Sequence, residues 1–169
     1  MIRILKQIFR TGIVTEPLPP VLDPEILNIG VKLEEVIRKR FRNSLTIRQV
    51  DAGSCNGCEL EIHAMNNVYY NCERFGIHFT ASPRFADLLL VTGPVSHNME
   101  IALRRTYDAT PRPKIVIAVG DCGCNGGVFG ESYASLGGID RVIPVDAVIP
   151  GCPPTPAALL QGILKVIGR

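Results

Sequence analysis

The spacing of hydrophobic positions changes along this chain, and each change marks an element. Ile2, Leu5, Ile8, Phe9 and Ile13 recur at intervals of three and four, which predicts a short amphipathic helix flanked by Arg3, Lys6 and Arg10. Pro17, Pro19 and Pro20 then predict an extended spacer. Ile26, Ile29, Leu33, Val36, Ile37 and Phe41 return to helical spacing over residues 24–41. That helix ends in Arg38-Lys-Arg-Phe-Arg42, a basic run suited to a solvated helix C-terminus. From residue 45 onward, runs rich in aliphatic and β-branched residues (45–50, 77–80, 87–91, 115–119 and 141–145) alternate with helical patterns (59–75, 98–106 and 155–167). In the first of those patterns Leu60, Ile62, Met65, Val68 and Tyr69 read as one helix face. Leu88-Leu-Leu-Val91 and Ile115-Val-Ile-Ala-Val119 are almost continuously apolar, as parallel strands buried on both faces must be.

The alternation predicts an α/β fold: an open, mostly parallel, flavodoxin-like sheet with helices on both faces and an N-terminal helical extension. Residues 1–43 are read as the extension, docking on a partner or a membrane, and residues 44–169 as the α/β domain. In such sheets ligands lie beyond the carboxyl ends of the strands, near the switch in strand order.

Composition narrows the function classes. Hydrophobic residues at 46% against 20% charged indicate a globular chain rather than a disordered one. A net charge of +2, with no basic run interleaved with aromatics, argues against a nucleic-acid partner. No apolar stretch reaches membrane-spanning length, and the N-terminus lacks the apolar core of a secretory signal. The expected compartment is therefore the cytoplasm, where six cysteines point to metal ligation rather than disulfides.

The cysteines fall in register with the predicted strands. Cys55 and Cys58 follow the first strand on a Gly-containing turn, with a helix N-terminus behind them that favours bound negative charge. Cys122 and Cys124 follow the strand ending at Val119, and Cys152 follows the last strand region in Gly151-Cys-Pro-Pro154. Five of the six thiols thus lie on loops that an α/β sheet gathers at one edge. Cys72 sits inside a helical pattern and reads as a small buried apolar residue. Spacing does not choose between Cys122 and Cys124 as the partner of Cys55, Cys58 and Cys152. Glycines at 120, 123, 126 and 127 expose backbone N–H groups that suit the sulfides of an iron–sulfur cluster, although a closed Cys₄ zinc site uses the same donors.

Four motifs in order, Asp51-Ala-Gly-Ser-Cys-Asn-Gly-Cys-Glu59, Thr92-Gly-Pro-Val-Ser-His-Asn-Met99, Val119-Gly-Asp-Cys122 and Pro150-Gly-Cys-Pro-Pro154, resemble the small subunit of membrane-bound, energy-converting [NiFe]-hydrogenases. The cluster-bearing subunit of respiratory complex I belongs to the same family. The resemblance covers about residues 45–169. It implies one [4Fe–4S] cluster beside the active centre of a [NiFe] large subunit, with Cys55, Cys58, Cys122 and Cys152 as ligands and Cys124 spare. It also implies a ferredoxin-like iron–sulfur subunit, integral membrane subunits, and a peripheral position on the cytoplasmic face of the cell membrane. The Cys55-Asn-Gly-Cys58 spacing is that of the hydrogenases, whereas complex I subunits carry adjacent cysteines there. The absence of a signal and of a long extension past Cys152 fits the one-cluster group rather than the periplasmic uptake enzymes.

Of Glu59 and Glu61 at the helix start, one is expected to complement the helix dipole and the other to pass protons near the partner's metal centre. Asp121 is read as a capping carboxylate or a tuner of the cluster, Gly93 as part of the pocket, and His97 as a cap or interface residue. The resulting reading is an electron-transferring oxidoreductase subunit whose bond chemistry resides on its partner. Two rivals are a complex I-type quinone-reducing subunit and a zinc-stabilised flavodoxin-like binding module.

Overall fold

The computed structural model describes residues 2–12, 23–42 and 44–169. The proline spacer and Ile13 lie outside the described residues. In chain order the elements are α1 (Ile2–Thr11), α2 (Pro24–Arg40), β1 (Leu45–Asp51), α3 (Gly57–Ala64), β2 (Ile77–Phe79), β3 (Leu88–Thr92), α4 (His97–Ala109), β4 (Ile115–Val119), α5 (Gly120–Asn125), β5 (Ala147–Ile149) and α6 (Pro156–Ile167). The strands form a five-stranded, wholly parallel sheet in the order β2-β1-β3-β4-β5. This is the doubly wound, flavodoxin-like order, with its switch point between β1 and β3.

Both faces of the central strands are buried, which explains their unbroken apolar character. Leu88, Leu90, Ile117 and Val119 face α2, α3 and α6, meeting Leu33, Ile37, Ile62, Leu159 and Ile163. Leu89, Val91, Val116 and Ala118 face the other way, toward Leu103 of α4 and the turn carrying Ile139, Val142 and Ile143. α2 therefore shares the core of the α/β body. Asp23 caps it by accepting the Glu25 N–H, Pro24 starts it, and its Gly30 faces the Phe75 ring so closely that a Cβ there would stand 2.1 Å from Cζ. α1, by contrast, buries none of its residues.

Two expected elements differ. The strand expected at 141–145 lies instead at Ala147–Ile149. Pro144 has no N–H for a ladder, and Ile139, Val142 and Ile143 are buried at helical spacing around a 3-10 turn. Pairing with β4 begins only at Asp146, whose N–H donates to the Val116 carbonyl (2.9 Å) while its carboxylate accepts the Val116 N–H (2.8 Å). The helix expected over 59–75 ends at Ala64 and resumes only as a 3-10 turn at Cys72–Phe75. Asn67 ends it: its side chain accepts both the Tyr69 and Tyr70 N–H groups at 2.9 Å, an Asx turn that competes with the helix. The buried face is accordingly Glu59, Ile62 and Met65, and Leu60, Val68 and Tyr69 are exposed.

Cys72 is buried in the core, its thiol donating to the Asn66 side-chain oxygen at 2.8 Å. Burial, with Glu73 adding, pushes this thiol up from the ordinary 9.0 to about 12. Cys72→Ala should cost about 1 kcal/mol at neutral pH. Below pH 9 the thiol is protonated in both states, so the gap between variant and wild type is constant. From pH 9 toward 12 the unfolded wild-type chain releases the proton and the folded one retains it. Wild type therefore loses stability there that the variant does not, and denaturant titrations at pH 7 and above 9 should show the gap closing.

Candidate metal centre

The carboxyl ends of β1, β3, β4 and β5 open into one small cleft lined by Cys55, Cys58, Cys122 and Cys152, together with Ser54, Gly57, Gly93, Asp121, Gly151 and Pro153. Each loop reaches it by a specific local device. Asp51 accepts the N–H groups of Gly53 (2.7 Å) and Ser54 (2.8 Å), folding the chain back at the end of β1. Asn56, in the left-handed region at φ 68°, then starts α3 so that Cys55 and Cys58 bracket its first turn. Gly93 lets the end of β3 lie against that loop: its φ is +77°, and a Cβ would stand 2.6 Å from the Ser54 nitrogen.

α5 and the Cys152 loop are tied together. The Asp121 carboxylate accepts the Gly151 N–H at 2.8 Å, and the Asp121 N–H donates to the Gly151 carbonyl at 2.9 Å. Asp121 thus caps the loop of another strand rather than its own turn. α5, not apparent in the sequence pattern, also separates the two candidate thiols. Residues two apart on a helix point about 200° from each other. Cys122 faces the cleft, where the Val128 N–H meets its sulfur; Cys124 turns away and its thiol donates to the Ile149 carbonyl at 4.0 Å.

The surroundings of Cys58 and Cys122 favour their protonated forms. Burial foremost, then Glu59 and the thiols of Cys55, Cys122 and Cys152, pushes Cys58 up to about 12. Burial and then Cys152, Cys55 and Asp121 raise Cys122, against the Val128 N–H, which lowers it. Glu59 is buried beneath the cleft, where the Thr92 hydroxyl donates to its Oε1 and its Oε2 has no partner. Glu61 is half-buried and His97 exposed at the first residue of α4. Thr92 opens one of the four sequence motifs, but its role as the hydroxyl partner of Glu59 is seen only in the fold, where it is the last residue of β3.

The donor set fits an iron–sulfur cluster. All four candidate ligands are thiols, no imidazole lines the cleft, and glycines stand where side chains would intrude. A Cβ on Gly120 would lie 2.6 Å from the Cys58 sulfur and one on Gly127 2.8 Å from the Cys122 sulfur. Among the described residues, no three His, Cys, Asp or Glu side chains meet closely enough to hold a single ion.

Residues 55–166 match the family described as NADH ubiquinone oxidoreductase, 20 Kd subunit. The chain belongs to this family. It is 43% identical over 152 residues to formate hydrogenlyase subunit 7 of Escherichia coli, covering 90% of the chain and 58% of that subunit. The chain thus spans less than two thirds of that relative's length. Against the probable membrane-bound hydrogenase subunit mbhJ of Pyrococcus furiosus it is 50% identical over 120 residues, 71% of the chain and 72% of the relative. Against an NADH-quinone oxidoreductase subunit of Desulfovibrio desulfuricans it is 47% identical over 109 residues, 64% and 59% respectively. The fold matches a chain of the archaeal membrane-bound sulfane sulfur reductase with a TM-score of 0.66 and 38% identity, covering 81% of this chain and 74% of that one. The relatives it resembles are thus named as subunits of a formate hydrogenlyase, a membrane-bound hydrogenase, an NADH-quinone oxidoreductase and a respiratory membrane complex. No described helix is long and apolar enough to cross a membrane.

The Asp121 clamp and the Gly120 approach are separable experimentally. Asp121→Ala should lower stability by about 1–2 kcal/mol in thermal or denaturant unfolding, while Asp121→Asn, which keeps an acceptor oxygen, should lose less. Gly120→Ala, strained at φ +79° and pressed on the Cys58 sulfur, should reduce bound iron more than it reduces helical circular dichroism.

Proposed function

We propose that this chain carries one [4Fe–4S] cluster on Cys55, Cys58, Cys122 and Cys152 and conducts electrons between a ferredoxin-like iron–sulfur subunit and a [NiFe] large subunit of a membrane-bound hydrogenase. In this reading it sits on the cytoplasmic face of the membrane, beside integral membrane subunits. The observation that carries it is the meeting of four thiols from three separate loops in one glycine-lined cleft. Bound there, the cluster supplies one-electron transfer.

The protein's own groups do the rest. Cys55 and Cys152 are exposed, so the cleft opens on the surface where a partner can approach. Leu60, Val128, Phe129 and Tyr133 are exposed apolar side chains on α3 and on the loop after α5, and they support a partner face beside the cleft. Gly93 and Gly151 let the cleft loops pack closely on Ser54 and Pro154, and the Asp121 clamp would fix the loop that carries Cys152. Glu59 is engaged with Thr92 of β3, which leaves Glu61 as the carboxylate for a proton path in this reading.

A second reading, a quinone-linked complex I subunit, is favoured by the similarity to the Desulfovibrio protein. The two differ in the partner. Anaerobic purification of the intact complex, with iron, sulfide and nickel quantified, decides between them. Four iron and four sulfide on this chain, with nickel on the large subunit, is the expected result. A nickel-free partner favours the complex I-type reading, and one zinc on a colourless chain overturns the cluster. Cys55→Ser, Cys58→Ser, Cys122→Ser and Cys152→Ser should each lose or degrade the cluster by iron content and EPR, because a hydroxyl is a poor ligand for it. Cys124→Ser and Cys72→Ser should retain it.

A further inference from the structure

Alone among the described α-helices, α1 buries none of its residues, although half of them are aliphatic or aromatic. Ile2, Ile4, Leu5, Ile8 and Phe9 are between 49% and 85% exposed. At about 100° per residue these five occupy one continuous arc of about 160°. Arg3, Lys6, Gln7, Arg10 and Thr11 occupy the remainder. The helix contains no acidic residue. Its end is defined: the Thr11 hydroxyl donates to the Gln7 carbonyl, the Gly12 N–H donates to the Ile8 carbonyl, and Gly12 takes the left-handed conformation.

We infer that α1 is an interfacial anchor that lies in the headgroup region of an anionic bilayer. The charge pattern selects that occupant. A groove in a protein offers acceptors and donors of both signs, and a helix fitted to one carries mixed charge on its rim. α1 instead presents only cations beside a wide apolar arc, which complements a surface apolar beneath and uniformly anionic above. Ten residues span about 15 Å, enough to lie along a membrane and too short to cross one. Helices this short are marginal in water, so an apolar surface is also what would hold α1 in shape. The inference rests on the peripheral placement of this subunit and is independent of the cluster.

The experiment uses the full chain in co-sedimentation with two vesicle types, phosphatidylcholine alone and phosphatidylcholine containing a quarter phosphatidylglycerol. With three cations near the surface, binding to the anionic vesicles should be stronger on the order of a hundredfold, and should weaken as salt is raised. Replacing Arg3, Lys6 and Arg10 together by Gln should remove that preference, and Phe9→Asp should abolish sedimentation with either vesicle. Because α1 buries nothing, all variants should keep wild-type iron content and thermal unfolding. Failure of the full chain to sediment with anionic vesicles, or equal binding by the charge-neutral variant, overturns the inference. So does release of the chain from its partner subunits in detergent by the Phe9→Asp variant, which would assign α1 to a protein groove. Iron measured on the same samples separates the two readings: a chain without iron that still binds vesicles overturns only the cluster, and an iron-loaded chain that does not bind them overturns only the anchor.

Discussion

Everything at the site depends on the parallel pairing of β1, β3, β4 and β5 with both faces covered. Parallel strands all leave the sheet at the same edge, so the chain segments that follow them are forced to be neighbours. The pairing of Val91 with Ala118 and of Val50 with Val91 puts the last residues of β1, β3 and β4 level with one another. From that level edge, Cys55, Cys122 and Cys152 need only a few residues each to reach a common cleft. The packing of Leu33, Ile37, Leu159 and Ile163 on one face and Leu103 and Ile139 on the other keeps the edge rigid.

Within the cleft, close approach is made possible by what is missing from certain positions. Gly93 and Gly120 place backbone where a Cβ would meet the Ser54 nitrogen or the Cys58 sulfur. The absent side chains let the β1 and β3 loops, and α5 and the Cys58 thiol, lie against one another. The polar ties run between loops: Asp121 to Gly151 and Thr92 to Glu59 join elements far apart in sequence. Burial in this geometry raises the Cys58 and Cys122 thiols.

The chain's exposed apolar residues are of two kinds. Leu60 lies on α3 and Val128 and Phe129 on the loop after α5, elements that also carry Cys58 and Cys122. α1 combines its apolar arc with cations only. The proposed electron-transfer role, between a membrane and a redox partner, would use both.

The sequence by itself determined the layered α/β architecture, because double-faced burial writes unbroken apolar runs at 88–91 and 115–119 and helical spacing between them. It also placed five cysteines after strand ends, and strand ends converge in any such sheet. Tertiary structure decided what local pattern leaves degenerate. The run at 141–145 is as apolar as a strand, yet Asp146 pairing with Val116 sets where the ladder begins. Glu59, not Leu60, turns inward because Thr92 waits on β3 to receive it. Which of Cys122 and Cys124 faces the cleft is a matter of rotation on a six-residue helix whose start is fixed by the Gly151 loop. In each case two local arrangements are close in energy, and a contact from thirty or more residues away selects one.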